Sequence, residues 1–170
     1  MSATELPQPD LFHLRAAIGW LELGNPTEAG EEIARISPVV LEHPGVLEVR
    51  WQICAATQSW DAALALAEQL ITVAPKEPAG WLHRAYALRR AKNGGVQKAW
   101  DALLPAAKLF PKDRLIPFNL ACYAAQLARF DEAFDWFQRS SKSADDFEIM
   151  KQMALADRDL EPIWERIRAL

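Results

Sequence analysis

Trp60-Asp61-Ala62-Ala63 returns as Phe130-Asp131-Glu132-Ala133, an aromatic residue followed by an acid, one variable position and an alanine. Gln97-Lys98-Ala99 lies between them and Thr27-Glu28-Ala29 ahead of them, so four alanines stand at 29, 63, 99 and 133. Their separations are 34, 36 and 34 residues. A fixed period of this length marks a chain of supersecondary units that bury their apolar faces against their neighbours. The long interval contains Asn93-Gly94-Gly95, a turn-forming insertion that accounts for its two extra residues. Pro75 and Pro111 repeat the 36-residue interval at the ends of two units.

Working outward, the third unit opens with Trp81-x2-Arg84-Ala85-x2-Leu88, continues with Ala99-x3-Leu103 and closes at Pro111. The fourth has Leu120-Ala121 and then Ala133-x3-Phe137; the second has Ala63-x3-Ala67 and Pro75; the first has Ala16-Ala17-x2-Trp20 and Ala29-x3-Ile33. This phrasing resembles the tetratricopeptide repeat, of the small bacterial type, over residues 10 to 147. The resemblance implies an all-α fold, a right-handed α-α superhelix (solenoid) of about four helix-turn-helix repeats in a single domain, 1–170. The repeats are expected at 10–43, 44–77, 78–113 and 114–147, with C-terminal capping helices over 148–170. Trp51 departs from the pattern, standing where the family places Gly or Ala for close helix contact, and no proline closes the first or fourth unit.

Local chemistry marks the helix ends. Asp10, Ser59 and Asp113 read as helix starts, and Gly24-Asn25-Pro26 as a stop followed by a restart. Pro38, Pro44, Pro75, Pro78 and Pro111 fall between helices, and Pro117 fits a first helical turn. Pro105 lies inside the second helix of the third unit and is expected to kink it, because proline lacks the N–H and crowds the preceding turn. In the last segment Leu160, Ile163, Trp164, Ile167 and Leu170 share one face, the pattern of a helix that caps a repeat stack.

The composition excludes several classes. A net charge of −4 gives no concentrated basic face, so nucleic acid is not an expected partner. No apolar stretch reaches the roughly 20 residues of a membrane span, and the N-terminus lacks a secretory pattern, so a cytoplasmic protein whose mature chain starts here is expected. Cys54 and Cys122 lie within apolar helical pattern and read as reduced, buried thiols. His13, His43 and His83 fall in different units without Cys or carboxylate at ligand spacing, so no metal and no cofactor is expected. Gly94-Gly95 lacks the Lys-Ser/Thr of a phosphate loop and no nucleophile elbow is present, so no catalytic residues are assigned. Asp145-Asp146-x-Glu148 reads as a helix N-terminus, and most of the seven tryptophans, Trp20, Trp81 and Trp136 among them, read as core.

The resemblance also implies that the first helices of successive units line a concave groove. Arg15 and Glu22 fall on that side in the first unit, Glu48 and Gln52 in the second, His83, Tyr86, Arg89 and Arg90 in the third, and Asn119, Cys122 and Gln126 in the fourth. The expected function is a non-catalytic adaptor that holds a protein or peptide there, its backbone on Gln52, Asn119 and Gln126 and an acidic group on Arg89 or Arg90. The Lys/Asn/Arg carboxylate clamp of some family members is absent, since Leu82 and Tyr86 occupy its positions. The alternatives are a self-associating scaffold, hence a homo-oligomer, and a secretion or assembly chaperone.

Overall fold

The computed structural model describes residues 6–141 and 144–170, the side chains of 144–146 excepted. Packing divides the chain into two compact units, one ending at Asn93 and one beginning at Gly94, so the boundary falls within the insertion. The first unit comprises α1 (Gln8–Glu22), α2 (Pro26–Ala34), a 3-10 turn (Pro38–Val40), α3 (Pro44–Ala56), α4 (Trp60–Val73) and α5 (Ala79–Arg90). The second comprises α6 (Val96–Leu103), α7 (Ala106–Leu109), α8 (Leu115–Gln126), α9 (Phe130–Arg139), α10 (Ala144–Ala156), a 3-10 segment (Arg158–Ile163) and α11 (Trp164–Arg168). No strand occurs among the described residues.

The period in the sequence has a backbone counterpart. After α1 the N–H of Asn25 donates to the carbonyl of Trp20 at 2.8 Å, after α3 Ser59 donates to Cys54 at 2.8 Å, and after α8 Arg129 donates to Ala124 at 2.9 Å. Closing a helix end in this way needs a left-handed residue just before the donor. Gly24 (φ 73°), Gln58 (φ 55°) and Ala128 (φ 58°) supply it. Each donor then caps the following helix, and its carbonyl accepts the N–H of a repeat alanine, Ala29, Ala63 or Ala133. Ala99 bonds in the same way to Gly95, and all four alanines are fully buried. The passage from α5 to α6 differs because α5 runs out into extended backbone at Ala91 (φ −60°, ψ 153°), and Gly95 (φ 125°) caps α6 instead. That is the structural form of the insertion.

In the first unit Leu14, Ala17, Ala29, Ile33, Ile36, Val46 and Val49 form one apolar cluster. Leu47, Trp51, Ala63, Leu66, Ala67, Leu70 and Ala87 form another, joining α3, α4 and α5. Gly80 lets α5 approach α4 closely: a Cβ there would meet the backbone nitrogen of Ile71 at 3.0 Å. In the second unit the core includes Leu103, Ile116, Leu120, Tyr123 and Phe137. Leu160, Ile163 and Ile167 are buried with them, whereas Leu170 is exposed. This terminal stretch is a 3-10 segment followed by short α11 rather than one helix, with Pro162 inside the former. The Trp164 indole N–H anchors it to the carbonyl of Ala154 at 2.8 Å.

Several expectations need correction. Asp10 does not cap α1, which starts ahead of it at Gln8; it is buried, and its Oδ1 accepts the N–H of Ser37 at 2.7 Å, tying α1 to the loop after α2. Ser59 is the N-cap of α4 by position, yet makes no side-chain capping bond. Asp113 does cap, accepting the N–H of Ile116 at 2.8 Å, and Pro117 lies in the first turn of α8. Pro105 breaks its helix outright into α6 and α7. Trp51 and Trp100 are buried, whereas Trp20 is exposed and Trp81 and Trp136 are only half-buried. Cys54 is also half-buried. α10 begins at Ala144, ahead of the expected boundary at 148. The side chains of Asp145 and Asp146 and the N-terminal residues 1–5 lie outside the described residues.

Candidate functional site

Helical spacing gathers the site in the first unit. On α3, Glu48, Trp51 and Gln52 stand at i, i+3 and i+4; on α5, His83, Tyr86 and Arg90 stand at i, i+3 and i+7, so each helix presents one stripe. α4 adds its first residue, Trp60.

The stripes meet in a continuous row. His83 Nε2 lies 2.6 Å from Glu48 Oε1, and Gln52 Nε2 donates to the same oxygen at 3.5 Å. The imidazole stacks on the Trp51 indole, with centroids 3.7 Å apart and planes 10° from parallel. Trp51 meets Tyr86 edge-on at 5.9 Å, and Tyr86 lies 5.8 Å from Trp60. Over these rings sits Arg90, its guanidinium carbon 3.6 Å from the centre of Tyr86 and 5.3 Å from that of Trp60, while Nη1 donates to the Tyr86 carbonyl at 3.0 Å. Such cation–aromatic contacts contribute about 0.5–1 kcal/mol at exposed sites and more where water is excluded. The row therefore runs from a carboxylate through an imidazole and three aromatic rings to a guanidinium held against two of those rings.

Trp51 explains its own departure from the repeat pattern. Its large side chain, 8% exposed, forms the stack beneath His83, and its Nε1 is buried without a hydrogen-bond partner. Burial pushes the Glu48 carboxyl up, but the His83 hydrogen bond, the His83 charge and the Gln52 bond outweigh it and hold the carboxyl below its usual range. Glu48 also borders a cavity of about 240 Å³, beside Glu77, Pro44 and Gly80.

Asn119, Cys122 and Gln126, on α8, are placed otherwise. Asn119 Nδ2 donates to the Leu115 carbonyl at 2.8 Å on its own helix. Cys122 is buried, and its thiol donates to Asp157 Oδ2 at 3.6 Å. Gln126 Nε2 donates to the Asp159 carbonyl at 3.2 Å. Both side chains thus bond to the terminal segment, Cys122 from a buried position and Gln126 from an exposed one. The same packing brings Cys122, Asp157 and Asp159 together with their ligand atoms all within 4.8 Å, a grouping that sequence spacing does not reveal. Asp157 Oδ1 accepts the N–H of Asp159 at 2.9 Å, so both Asp157 oxygens brace the segment. Arg15 and Glu22 are exposed on α1. Trp51 and Trp60 are the site residues that sequence reading missed.

No protein-family model matches this chain, and no curated protein matches it in sequence. Solved structures do match. MamA 41-end from Desulfovibrio magneticus RS-1 superposes with a TM-score of 0.66 over 98% of this chain and 97% of its own, at 13% identity. The structure described as MamA RS-1 ArsTM double mutant superposes with a TM-score of 0.65 over 89% of this chain and 80% of its own, at 14% identity. The fold is tetratricopeptide-like. At such identities the likeness concerns the backbone path and carries no residue of the site. Among the described residues no helix is long and apolar enough to cross a membrane.

Proposed function

We propose that the protein is a non-catalytic interaction module whose first unit holds a peptide segment of a partner protein across α3 and α5. An acidic side chain or carboxyl end meets Arg90, with Arg89 beside it in sequence, and a backbone amide meets Gln52. The row from Glu48 to Arg90 carries this reading. Tryptophan, tyrosine and arginine are the residue types most enriched among energetically dominant interface positions. A guanidinium already seated on two rings loses little side-chain freedom on binding. A tetratricopeptide-like fold supports an interaction role in the same direction.

The test is selection from a displayed peptide library against the wild-type chain, with Arg89→Glu/Arg90→Glu and Tyr86→Ala as comparisons. Acid-bearing peptides are expected, binding at least about tenfold more weakly to either variant, the loss of roughly 1.4 kcal/mol typical of an interface anchor. Peptides that bind all three proteins alike would sink the assignment.

A second reading, self-association, is favoured by apolar side chains left in water on α1. Phe12 is 69% and Leu23, at the helix end, 77% exposed, three turns apart on one side. Light scattering over a concentration series distinguishes them: a mass that doubles in the wild type and not in Phe12→Glu/Leu23→Glu supports self-association.

A further inference from the structure

The second unit holds a cavity of about 960 Å³ that the peptide-binding reading does not use. Its origin lies in the sequence. Pro105 stops α6 at Leu103 and the chain resumes as the four-residue α7, so the end of this helix pair lies against α8 and α9 with space between. The walls come from Leu104, Leu109, Phe110, Pro111, Pro117 and Trp136. Leu104 and Leu109 are 38% and 57% exposed, apolar surface that a ligand would cover.

Few polar groups face this space. Ser141 borders it, and Asp113 is committed through Oδ1 to the N–H of Ile116. The two cations are Lys108 and Arg139, the latter with its guanidinium carbon 4.6 Å from the centre of the Trp136 ring. A mostly apolar cleft of roughly 300–1,000 Å³ with a few placed polar groups is the usual form of a small-molecule site.

We propose that this cavity binds a small amphipathic anion, an aliphatic chain against the apolar walls with a carboxylate toward Lys108 and Arg139. Two cations against the single carboxylate of Asp113, whose Oδ1 is already held by the Ile116 N–H, leave a positive balance that selects an anion over a neutral or cationic amphiphile. An acyl chain also suits the walls better than a peptide does, because each peptide residue brings a backbone donor and acceptor that the wall side chains named above cannot satisfy.

Titration of the full-length chain with dodecanoate below its micelle concentration, followed by calorimetry and tryptophan fluorescence, tests this. The expected result is one saturable site, at least about tenfold weaker for dodecyltrimethylammonium, which shares the chain and reverses the charge. Ala107→Trp, which fills the cavity from its wall, and Lys108→Glu/Arg139→Glu are each expected to weaken dodecanoate at least about tenfold. Arg90→Glu in the first unit is expected to leave it unchanged. Circular dichroism and a cooperative melt establish that each variant is folded, and the two cavity variants are independent of one another. Absence of a saturable site, equal affinity for the cationic amphiphile, or binding that both folded cavity variants retain would each overturn the proposal. A displayed peptide that binds here instead, lost in Ala107→Trp, would overturn the choice of ligand.

Discussion

Gln58 and Ala128 hold φ values of 55° and 58° at the position that Gly24 fills in the first unit. For a residue with a Cβ the left-handed region costs about 1–2 kcal/mol, partly offset by the about 0.4–1 kcal/mol of extra chain entropy that glycine loses on folding. Ala128→Gly and Gln58→Gly are therefore expected to stabilise the protein by up to about 1 kcal/mol each in urea titrations, and Gly24→Ala to destabilise it by a similar amount. No neighbouring atom lies within 4 Å of a Cβ built at Gly24, so that effect would come from the backbone alone. Gly80→Ala is expected to destabilise as well, through packing rather than through the backbone. Its Cβ would press on the Ile71 backbone, and overpacking of about 1–3 kcal/mol outweighs the roughly 1 kcal/mol of helix propensity gained. An unchanged melting temperature would show that α4 and α5 can separate freely. At this scale the alanines were legible because a small residue is required at each, and they proved fully buried. Asp10 was misread because a buried acid that accepts a distant N–H and a helix cap look alike in sequence. Trp51 was visible as an exception to the pattern, but nothing local to it reveals a stacking partner 32 residues away at His83.

At the scale of elements, α3 and α5 are joined by the Glu48–His83 pair. Glu48 titrates below its ordinary value of 4.5 in the folded chain, so its stabilising contribution is complete above that value and is lost as pH falls through the lower folded value. Glu32, hydrogen-bonded to His13 at 2.7 Å between α1 and α2, is shifted in the same direction. The stability of Glu48→Gln is therefore expected to fall less steeply than that of the wild type on acidification below about pH 5, measured as the urea midpoint at successive pH values. Parallel curves would mean that the pair contributes nothing. The terminal segment gives a second test. Removing residues after Ala156 uncovers the surface that Leu160, Ile163 and Ile167 bury, and the second unit is expected to lose cooperative melting. Retained cooperativity would refute the capping role. The pattern of apolar residues in this segment foretold that it would pack. Its polar contacts with Cys122 and Gln126 were not foretold, because periodicity identifies the apolar face of a helix and says nothing of which polar groups a neighbouring segment will meet.

At the scale of the molecule, the helical architecture was legible because its determinants are local and repeated: one alanine per helix pair, and prolines and glycines that fall between helices. A binding face is not local. It forms where stripes from separate helices meet, so the tetratricopeptide resemblance could point to α3 and α5 but could not order Glu48, His83, Trp51, Tyr86, Trp60 and Arg90 into a row. The central claim is that this row is where a partner peptide lies. Its most direct test is a two-dimensional NMR titration of the full chain with an acid-bearing peptide, followed at the indole N–H of Trp60 and the backbone amides of residues 83–90. Saturable shifts at these positions, lost in Arg90→Glu and absent at the Trp164 indole of the second unit, are the expected result; saturable binding that leaves them unmoved, or that survives Arg90→Glu, would contradict the claim.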